Sequence, residues 1–224
     1  MKPRLLDLFC GAGGATRGYR MAGFEVIGVD IEEQPDYCGD MFIHGDALEI
    51  GRKFGHRFDA IHGSPPCQAS CTLTKGTNKG REYLNLIPQT RELLDSLGKP
   101  YVIENVQGSD LRRDYTLCGE MFGLGVIRHR YFEVSGFEPS PPVHKKHRGR
   151  VRGWRHGVYH DGPYLAVHGE GGGKGSVSEW QDAMGIHWTS VRKSIAEAIP
   201  PAYTEFIGGQ LMARLDIHTD RAIA

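Results

Sequence analysis

Apolar residues along this chain fall into short runs that are separated by glycines and by polar stretches. Runs rich in Leu, Ile, Val and Phe between such breaks are typical of strands buried on both faces of a sheet. The predicted strands comprise residues 4–9, 25–30, 41–46, 58–62, 100–104 and 131–134. Helices are predicted over 15–22, stopped by Gly23, and over 84–97, which Pro88 is expected to break or kink. Strands that alternate with helices favour an α/β fold, with a mostly parallel sheet and helices on both faces.

The C-terminal part of the chain has a different pattern. Residues 139–177 are rich in Gly, Pro, His and basic residues and show little periodicity, whereas helices are predicted from Ser178 and over 200–215. We therefore divide the chain into three parts, which are a core (1–134), a short basic segment (135–177) and C-terminal helices that return to the core (178–224).

The composition limits the class of protein. The 224 residues suffice for one sizeable core, and 27 basic and 27 acidic residues balance, so net charge does not argue for a polyanionic partner. No apolar run is long enough to span a membrane and no signal-peptide core is present, so we expect a soluble, cytoplasmic protein. We also expect it to be a monomer. The five cysteines are scattered and form no Cys-x-x-Cys pair, which argues against a disulfide framework or a cysteine zinc site.

One cysteine lies in an unusual setting. Cys67 follows two prolines in a loop after a predicted strand, and the prolines make that loop stiff and keep it out of a helix. The strand over 100–104 ends on Glu104, so a thiol and a carboxylic acid come from two strand ends. Such a pair suits nucleophilic addition to an electron-poor ring, with proton delivery to a ring nitrogen. A phosphatase-type thiol is excluded, because the arginine which that site needs is replaced by Leu73.

A glycine-rich turn joins the first strand to the first helix. Gly11, Gly13 and Gly14 lie in this turn, and the second and third strands end on Asp30 and Asp46. A turn of this kind lets the backbone approach a nucleotide, and an acid after the second strand accepts hydrogen bonds from ribose hydroxyls. NAD would fit this plan too, but position 16 is threonine where the dinucleotide fingerprint requires glycine, so an oxidoreductase is the weaker interpretation.

Together these blocks resemble one known family. Asp7–Gly14, Pro66–Cys67, Glu104–Val106 and Arg128–Arg130 are similar in order and spacing to the motifs of DNA (cytosine-5)-methyltransferases, and residues 178–212 resemble that family more weakly. The resemblance implies a Rossmann-like class I methyltransferase fold and S-adenosylmethionine as cofactor. It also implies methylation of C5 of cytosine in double-stranded DNA, as in restriction-modification systems.

The resemblance also implies a role for each matched residue. Cys67 would add to C6 of a cytosine flipped out of the duplex, and a protonated Glu104, whose pKa burial would raise, would stabilise N3. Arg130, with Arg128 as second candidate, would orient the base carbonyl or the adjacent phosphate. Since the two arginines alternate on a strand-like run, one of them could instead be a surface charge. The implied cofactor contacts are Phe9, Gly11, Gly13, Asp30, Ile31, Asp46 and Ala47.

This chain differs from the usual pattern of the family in three features. An aromatic residue often follows the ribose acid, where this chain has Ile31, and the expected Asn-Ser before the closing prolines is Glu197-Ala198. The basic segment is also too short for the usual target recognition domain. We therefore expect a minimal enzyme, of the kind that a phage could encode.

Positive charge is concentrated in the basic segment. Basic residues interleaved with Trp154 are an ordinary nucleic-acid contact pattern, although a solvated loop without a partner would have the same composition. The predicted nucleic-acid contacts are Lys145, Lys146, Arg148, Arg150, Arg152 and Arg155.

The histidines of the basic segment raise the question of a metal site. His144, His147, His156 and His160 have spacings that a metal could use, but residues 139–160 contain neither a cysteine nor an acid. Positive charge explains this stretch better, so we expect no metal.

Two alternatives to DNA methylation stay open. The same chemistry could act on RNA cytosine, or the chain could be a non-catalytic nucleic-acid-binding protein that retains the fold. The presence of both Cys67 and Glu104 argues against the second alternative.

Overall fold

A seven-stranded sheet forms the centre of the computed structural model, which describes residues 2–66, 85–169 and 175–223. The strands are β1 (Arg4–Leu8), β2 (Glu25–Asp30), β3 (Met41–His44), β4 (Ala60–Gly63), β5 (Tyr101–Val106), β6 (Tyr115–Leu117), β7 (Arg130–Ser135), β8 (Gly153–Arg155) and β9 (Val158–His160). The helices are α1 (Gly14–Met21), α2 (Ala47–Phe54), α3 (Ile87–Leu97), α4 (Val177–Met184), α5 (Arg192–Glu197) and α6 (Pro201–Ile223). None of the helices within the described ranges is long and apolar enough to cross a membrane.

The order of the strands confirms the predicted α/β fold. The sheet runs β3-β2-β1-β4-β5-β7-β6, and β8 pairs with β9 in a separate hairpin. The first five strands pair in parallel, whereas β7 is antiparallel to β5 and β6. Parallel strands require crossover connections, and α1, α2 and α3 lie in the connections that follow β1, β3 and β4.

Alternate residues of the strands pack against different helices. Leu5 of β1 belongs to the same buried cluster as Tyr19 of α1 and Ile207 of α6, whereas Leu6 belongs to a cluster that includes Leu94 of α3. Because successive strand residues point to opposite faces, the sheet is covered by helices on both sides.

Most predicted elements are present, and the differences have local causes. β2 has the predicted bounds. The expected break at Pro88 is wrong, because α3 begins at Ile87 and Pro88 lies in its first turn, where the missing N–H leaves no helical hydrogen bond unmade. The pattern does not predict α2, α5, β6 or the β8–β9 hairpin, since each of these elements is only three to eight residues long.

Asp7 is a carboxylic acid buried within β1. Its Oδ2 accepts a 2.5 Å hydrogen bond from the Thr16 hydroxyl, whereas Oδ1 finds no hydrogen-bond partner among the described residues. Burial raises the pKa of Asp7 from 3.8 to about 7, and the negative charge of Asp30 acts in the same direction. The folded protein therefore favours the protonated form of Asp7.

We expect Asp7→Asn to remove a pH-dependent destabilisation. The unfolded chain loses the Asp7 proton near its ordinary pKa of 3.8, whereas the folded protein holds it up to about pH 7. The free energy of unfolding is therefore undiminished below pH 3.8 and falls as the pH rises towards about 7. A pKa shift of this size lowers it by about 4 kcal/mol. Urea unfolding from about pH 4 to pH 8 should show the variant gaining up to this amount relative to wild type.

The exposed Asp182 supplies the matched control. Asp182→Asn should follow the wild-type dependence of the free energy of unfolding on pH. Parallel curves for wild type and Asp7→Asn would show that Asp7 loses its proton at the same pH in the folded and unfolded chain and would contradict the prediction.

Candidate active site

The C-terminal ends of the parallel strands lie side by side at one end of the sheet. Leu8 of β1 pairs with Val29 of β2 and with Gly63 of β4, and Gly63 pairs with Ile103 of β5. Ligands bind at the carboxyl ends of the strands in open α/β sheets. The residues that follow these positions are therefore neighbours, and they are Phe9, Asp30, Ser64 and Glu104.

The turn from β1 into α1 has a backbone that few side chains tolerate. Phe9, Gly11 and Gly13 have positive φ angles of 60°, 49° and 93°. A Cβ at Gly13 would lie 2.8 Å from the Cys38 sulfur, whereas a Cβ at Gly11 would meet nothing within 4 Å. The glycines thus allow a tight turn and leave open space beside Gly11, where a ligand can approach the backbone.

Asp30 holds this turn from the end of β2. Its carboxylate accepts the backbone N–H of Gly11 at 2.9 Å and that of Glu32 at 3.0 Å. Each carboxylate oxygen can accept a second hydrogen bond, so Asp30 has acceptor capacity left for hydroxyl groups. The open glycine turn and this carboxylate therefore fit a nucleoside ligand.

The other residues predicted to contact a cofactor differ in accessibility. Phe9 is half-buried and packs against the core, and Ala47 is buried. Ile31 is 66% exposed, and Asp46 is exposed while its side chain caps α2 by accepting the N–H of Glu49 at 2.8 Å. Ile31 and Asp46 are thus accessible to a ligand, whereas Ala47 supports the core.

Glu104 lies buried near the end of β5, between two polar partners. The Ser64 hydroxyl donates to Oε2 at 3.0 Å. The Nε of Arg130 lies 2.9 Å from Oε1 as an ion pair, although without hydrogen-bond geometry. Burial raises the pKa of Glu104 above its ordinary value, while Arg130 and Ser64 act in the opposite direction. The direction agrees with the prediction that burial favours a protonated Glu104.

A chain of hydrogen bonds continues from Glu104 into the core. The ring of His62, buried in β4, has Nε2 at 2.9 Å from Ser64 Oγ and Nδ1 at 3.0 Å from the Tyr19 hydroxyl. Burial lowers the pKa of His62 to about 3, so the imidazole is neutral. Because Ser64 gives its only proton to Glu104, His62 donates from Nε2 and accepts from Tyr19 at Nδ1. The sequence prediction misses this chain, and the histidine within an apolar run was the one available signal.

The proline loop is attached to the end of β5. The side-chain amide of Asn105 donates a 2.9 Å hydrogen bond to the buried carbonyl oxygen of Pro65. Pro66, the next residue, is exposed. Cys67 and Cys71 lie outside the described residues.

Arg128 has a different environment from Arg130. Its guanidinium donates to the carbonyl oxygens of Val167, Ala196 and Ala198 at 2.9, 2.6 and 2.6 Å. Burial lowers the pKa of Arg128 to about 9, with the neighbouring Arg130 charge acting in the same direction. Neither arginine is therefore merely a surface charge, because Arg128 ties the chain before β7 to the C-terminal region and Arg130 pairs with Glu104.

Two of the predicted nucleic-acid contacts pair with carboxylates. Arg148 Nε lies 3.0 Å from the Glu120 carboxylate, and Arg152 pairs with Glu179 of α4. These ion pairs hold the basic segment against the rest of the protein, so the two arginines offer less free charge than the sequence suggests.

Other cations of the basic segment are more accessible. Lys145, Lys146 and Arg150 are exposed, and the 70% exposed Trp154 packs edge-on against Tyr159. The side chain of Arg155 lies outside the described part of the chain.

The C-terminal region contacts the glycine turn. The indole of Trp188 donates to the Ala12 carbonyl oxygen at 2.9 Å, and the Thr204 hydroxyl of α6 donates to that of Ala15 at 2.8 Å. A Cβ at Gly14 would lie 2.6 Å from the Ile199 carbonyl oxygen, so this glycine permits the close approach.

The sequence of this chain is similar to those of known type II methyltransferases. The type II methyltransferase M.AplI of Arthrospira platensis is 31% identical over 121 residues, which cover 46% of this chain and 31% of that protein. The type II methyltransferase M.AgeI of Thalassovita gelatinovora is 28% identical over 205 residues, which cover 72% of this chain and 48% of that protein. The chain therefore spans about half the length, or less, of these relatives.

Comparison with solved structures shows the same fold. The crystal structure of the S. pombe Dnmt2 methyltransferase is similar over 96% of this chain and 100% of that chain, with a TM-score of 0.62 and 12% sequence identity. A family model described as C-5 cytosine-specific DNA methylase matches residues 3–117, which is just over half of the chain. The chain belongs to the C-5 cytosine-specific DNA methylase family.

Proposed function

We propose that this chain transfers a methyl group from S-adenosylmethionine to C5 of cytosine in DNA. The observation that carries the proposal is the buried Glu104, whose pKa is raised and which lies beside Ser64 and Arg130. It lies at the strand end where Asn105 holds the loop that leads to Cys67. Membership of the family supports this class of reaction.

The glycine turn and the acids after β2 and β3 would hold the cofactor. Asp30 would accept hydrogen bonds from the ribose, and Asp46 would accept one from the adenine amino group. Phe9 and the exposed Ile31 would provide apolar contacts, and Gly11 would leave room for the ligand. S-adenosylmethionine supplies an electrophilic methyl group when bound there.

The protein groups would activate the cytosine. C5 of cytosine is too weak a nucleophile to take a methyl group directly, so the Cys67 sulfur would form a bond to C6 and move electron density onto C5. Glu104 would place its proton at N3, and Arg130 would orient the base. After methyl transfer a base would remove the C5 proton, and the bond to Cys67 would break.

The remaining parts of the chain would serve DNA binding and support. We propose that residues 1–134 form the catalytic core, that the basic segment contacts phosphates, and that residues 178–224 brace the glycine turn. The target base must leave the duplex stack to reach Cys67, at a cost of a few kcal/mol.

Nucleoside mass spectrometry tests the proposal directly. Purified protein with S-adenosylmethionine and unmethylated duplex DNA should produce 5-methylcytosine, and Glu104→Gln should produce far less of it in the same time. The same assay with RNA in place of DNA distinguishes the substrates. Methylation of RNA alone would replace the proposed substrate, and no methylation of either would contradict the proposed activity.

We expect the basic segment to set the salt dependence of DNA binding. Replacing the exposed Lys145, Lys146 and Arg150 by alanine should flatten the slope of log affinity against log salt by up to about three, since each phosphate contact contributes about 0.9. Sequence preference should change little, because phosphate contacts position a protein and base contacts specify sequence. Fluorescence anisotropy at several salt concentrations measures both quantities.

Three exposed cations in and just after α2 supply a control with the same loss of charge. The triple variant Arg52→Ala, Lys53→Ala, Arg57→Ala should keep the wild-type slope. An unchanged slope in the basic-segment variant would place DNA on another surface, and a lost preference with an intact slope would mean that this segment reads bases.

A further inference from the structure

Four potential metal ligands converge at one end of the β6–β7 pair, although they come from three separate parts of the sequence. The Cys118 sulfur and one ring nitrogen from each of His129, His144 and His147 all lie within 4.8 Å of one another. We expected no metal because residues 139–160 offer histidines alone. The structure adds a buried cysteine and a further histidine from outside that range.

The sheet brings the first two ligands together. Leu117 of β6 pairs with Arg130 of the antiparallel β7, so the adjacent residues Cys118 and His129 lie opposite each other. β6 is an edge strand of the sheet. The basic segment lies against this end of the strand pair and contributes the other two ligands.

Three of the six distances between the ligand atoms match those of a tetrahedron around one zinc ion. Nε2 of His144 lies 3.2 Å from Nε2 of His129 and 3.3 Å from Nε2 of His147, which lies 3.4 Å from the Cys118 sulfur. Zn–N bonds of about 2.0–2.1 Å and a Zn–S bond of about 2.3 Å would place tetrahedral nitrogens about 3.3–3.4 Å apart and nitrogen and sulfur about 3.6 Å apart. These three spacings agree with zinc geometry to within ~0.2 Å, and the other three pairs of ligand atoms lie within 4.8 Å of one another.

Hydrogen bonds among these groups do not account for the arrangement. Nε2 of His144 faces Nε2 of both His129 and His147, yet a neutral imidazole nitrogen has either one proton or one lone pair. It can therefore form one good hydrogen bond and not two. The Cys118 thiol already has the Ile127 carbonyl oxygen as an acceptor at 3.1 Å. A single cation would satisfy all four convergent groups at once.

We propose that Cys118, His129, His144 and His147 bind one zinc ion, which fastens the basic segment to the edge of the sheet. Thiolate and imidazole ligands suit zinc, whereas magnesium and calcium prefer oxygen ligands. Four protein ligands complete a tetrahedron and leave no open position, which is typical of a structural site. The proposal does not depend on the proposed methyl transfer.

The ion would order residues on both sides of it. Lys145 and Lys146 lie between two of the ligands, so chelation would fix the loop that carries them. His129 directly precedes Arg130, whose guanidinium pairs with Glu104. The metal would thus hold the phosphate-binding loop in a defined position relative to the candidate active site, as structural metals do in small units with little core of their own.

Metal analysis of the untagged protein tests the proposal without DNA or cofactor. The protein should contain about one zinc ion per chain, and cobalt in its place should give a thiolate-to-cobalt charge-transfer band and the intense visible bands of tetrahedral Co²⁺. Cys118→Ser should remove the charge-transfer band. His144→Asn should weaken zinc binding by more than the roughly 10–100-fold typical of an outer-shell change.

Two matched variants control for loss of a cysteine or of a basic-segment histidine outside the cluster. Cys38→Ser and His156→Asn should keep the zinc and both cobalt bands. His144 is exposed, so circular dichroism should show that His144→Asn remains folded and that its loss of zinc reflects a lost ligand. A wild-type protein that binds no zinc after reconstitution, or a charge-transfer band that persists in Cys118→Ser, would overturn the proposal.

Discussion

Cys67→Ser is expected to abolish both methyl transfer and the covalent adduct that the wild-type protein forms with DNA containing 5-fluorocytosine. Fluorine at C5 cannot leave as a proton does, so the bond between Cys67 and C6 should persist after methyl transfer. Serine has nearly the same shape but is a far weaker nucleophile near neutral pH, so turnover should fall by at least roughly 10³-fold. A denaturing gel resolves the adduct, and transfer of labelled methyl groups measures the turnover.

Cys71→Ser is the matched control, because it makes the same chemical change a few residues away in the sequence. This variant should keep the adduct and the activity. An adduct that survives Cys67→Ser would show that another residue attacks the base, and the central chemical assignment would then be incorrect.

Glu104→Gln should lose most turnover while it binds S-adenosylmethionine almost as well as wild type. Glutamine keeps the size of the side chain and can still accept the Ser64 hydrogen bond, but it cannot deliver a proton to N3. General acid catalysis by a positioned side chain contributes typically 10²–10⁴-fold, and kcat should fall by about that factor. Only stabilisation of the transition state is removed, so cofactor affinity should stay near the wild-type value.

Asp30→Ala should weaken binding of the cofactor, which Glu104→Gln should leave almost unchanged. Loss of charge-assisted hydrogen bonds to the ribose, each worth roughly 1.5–3 kcal/mol, should weaken S-adenosylmethionine binding at least about tenfold. Isothermal titration calorimetry on the two variants, together with single-turnover rates at saturating cofactor, separates the two effects. Wild-type cofactor affinity in Asp30→Ala would contradict the assignment of Asp30, and an equally weakened affinity in Glu104→Gln would contradict that of Glu104.

The core elements and part of the candidate site could be predicted because the signals are local. Leu5 and Leu6 pack on opposite faces of β1, as expected of a strand in a sheet covered on both sides. The glycine turn followed by Asp30 needs only about twenty consecutive residues to be recognised. Glu104 could be found because an acid at the end of an apolar strand stands out, and its burial then follows from the position of β5 between β4 and β7.

Other features became evident only in the tertiary structure, because their partners come from distant parts of the chain. The Arg128 guanidinium binds the carbonyl oxygen of Ala198, which is 70 positions away. A neutral His62 depends on burial beneath Ser64 and Tyr19, and a single strand pattern cannot specify that environment.

The sequence alone was enough for the α/β class, the glycine turn and the acid at the end of β5, since each depends on residues close together in the chain. Tertiary structure decided which arginine pairs with Glu104 and placed Cys118 and His129 beside the histidines of the basic segment. The reason is physical. A local pattern sets backbone conformation and the face that is buried, whereas strand order and register determine which distant side chains share a site.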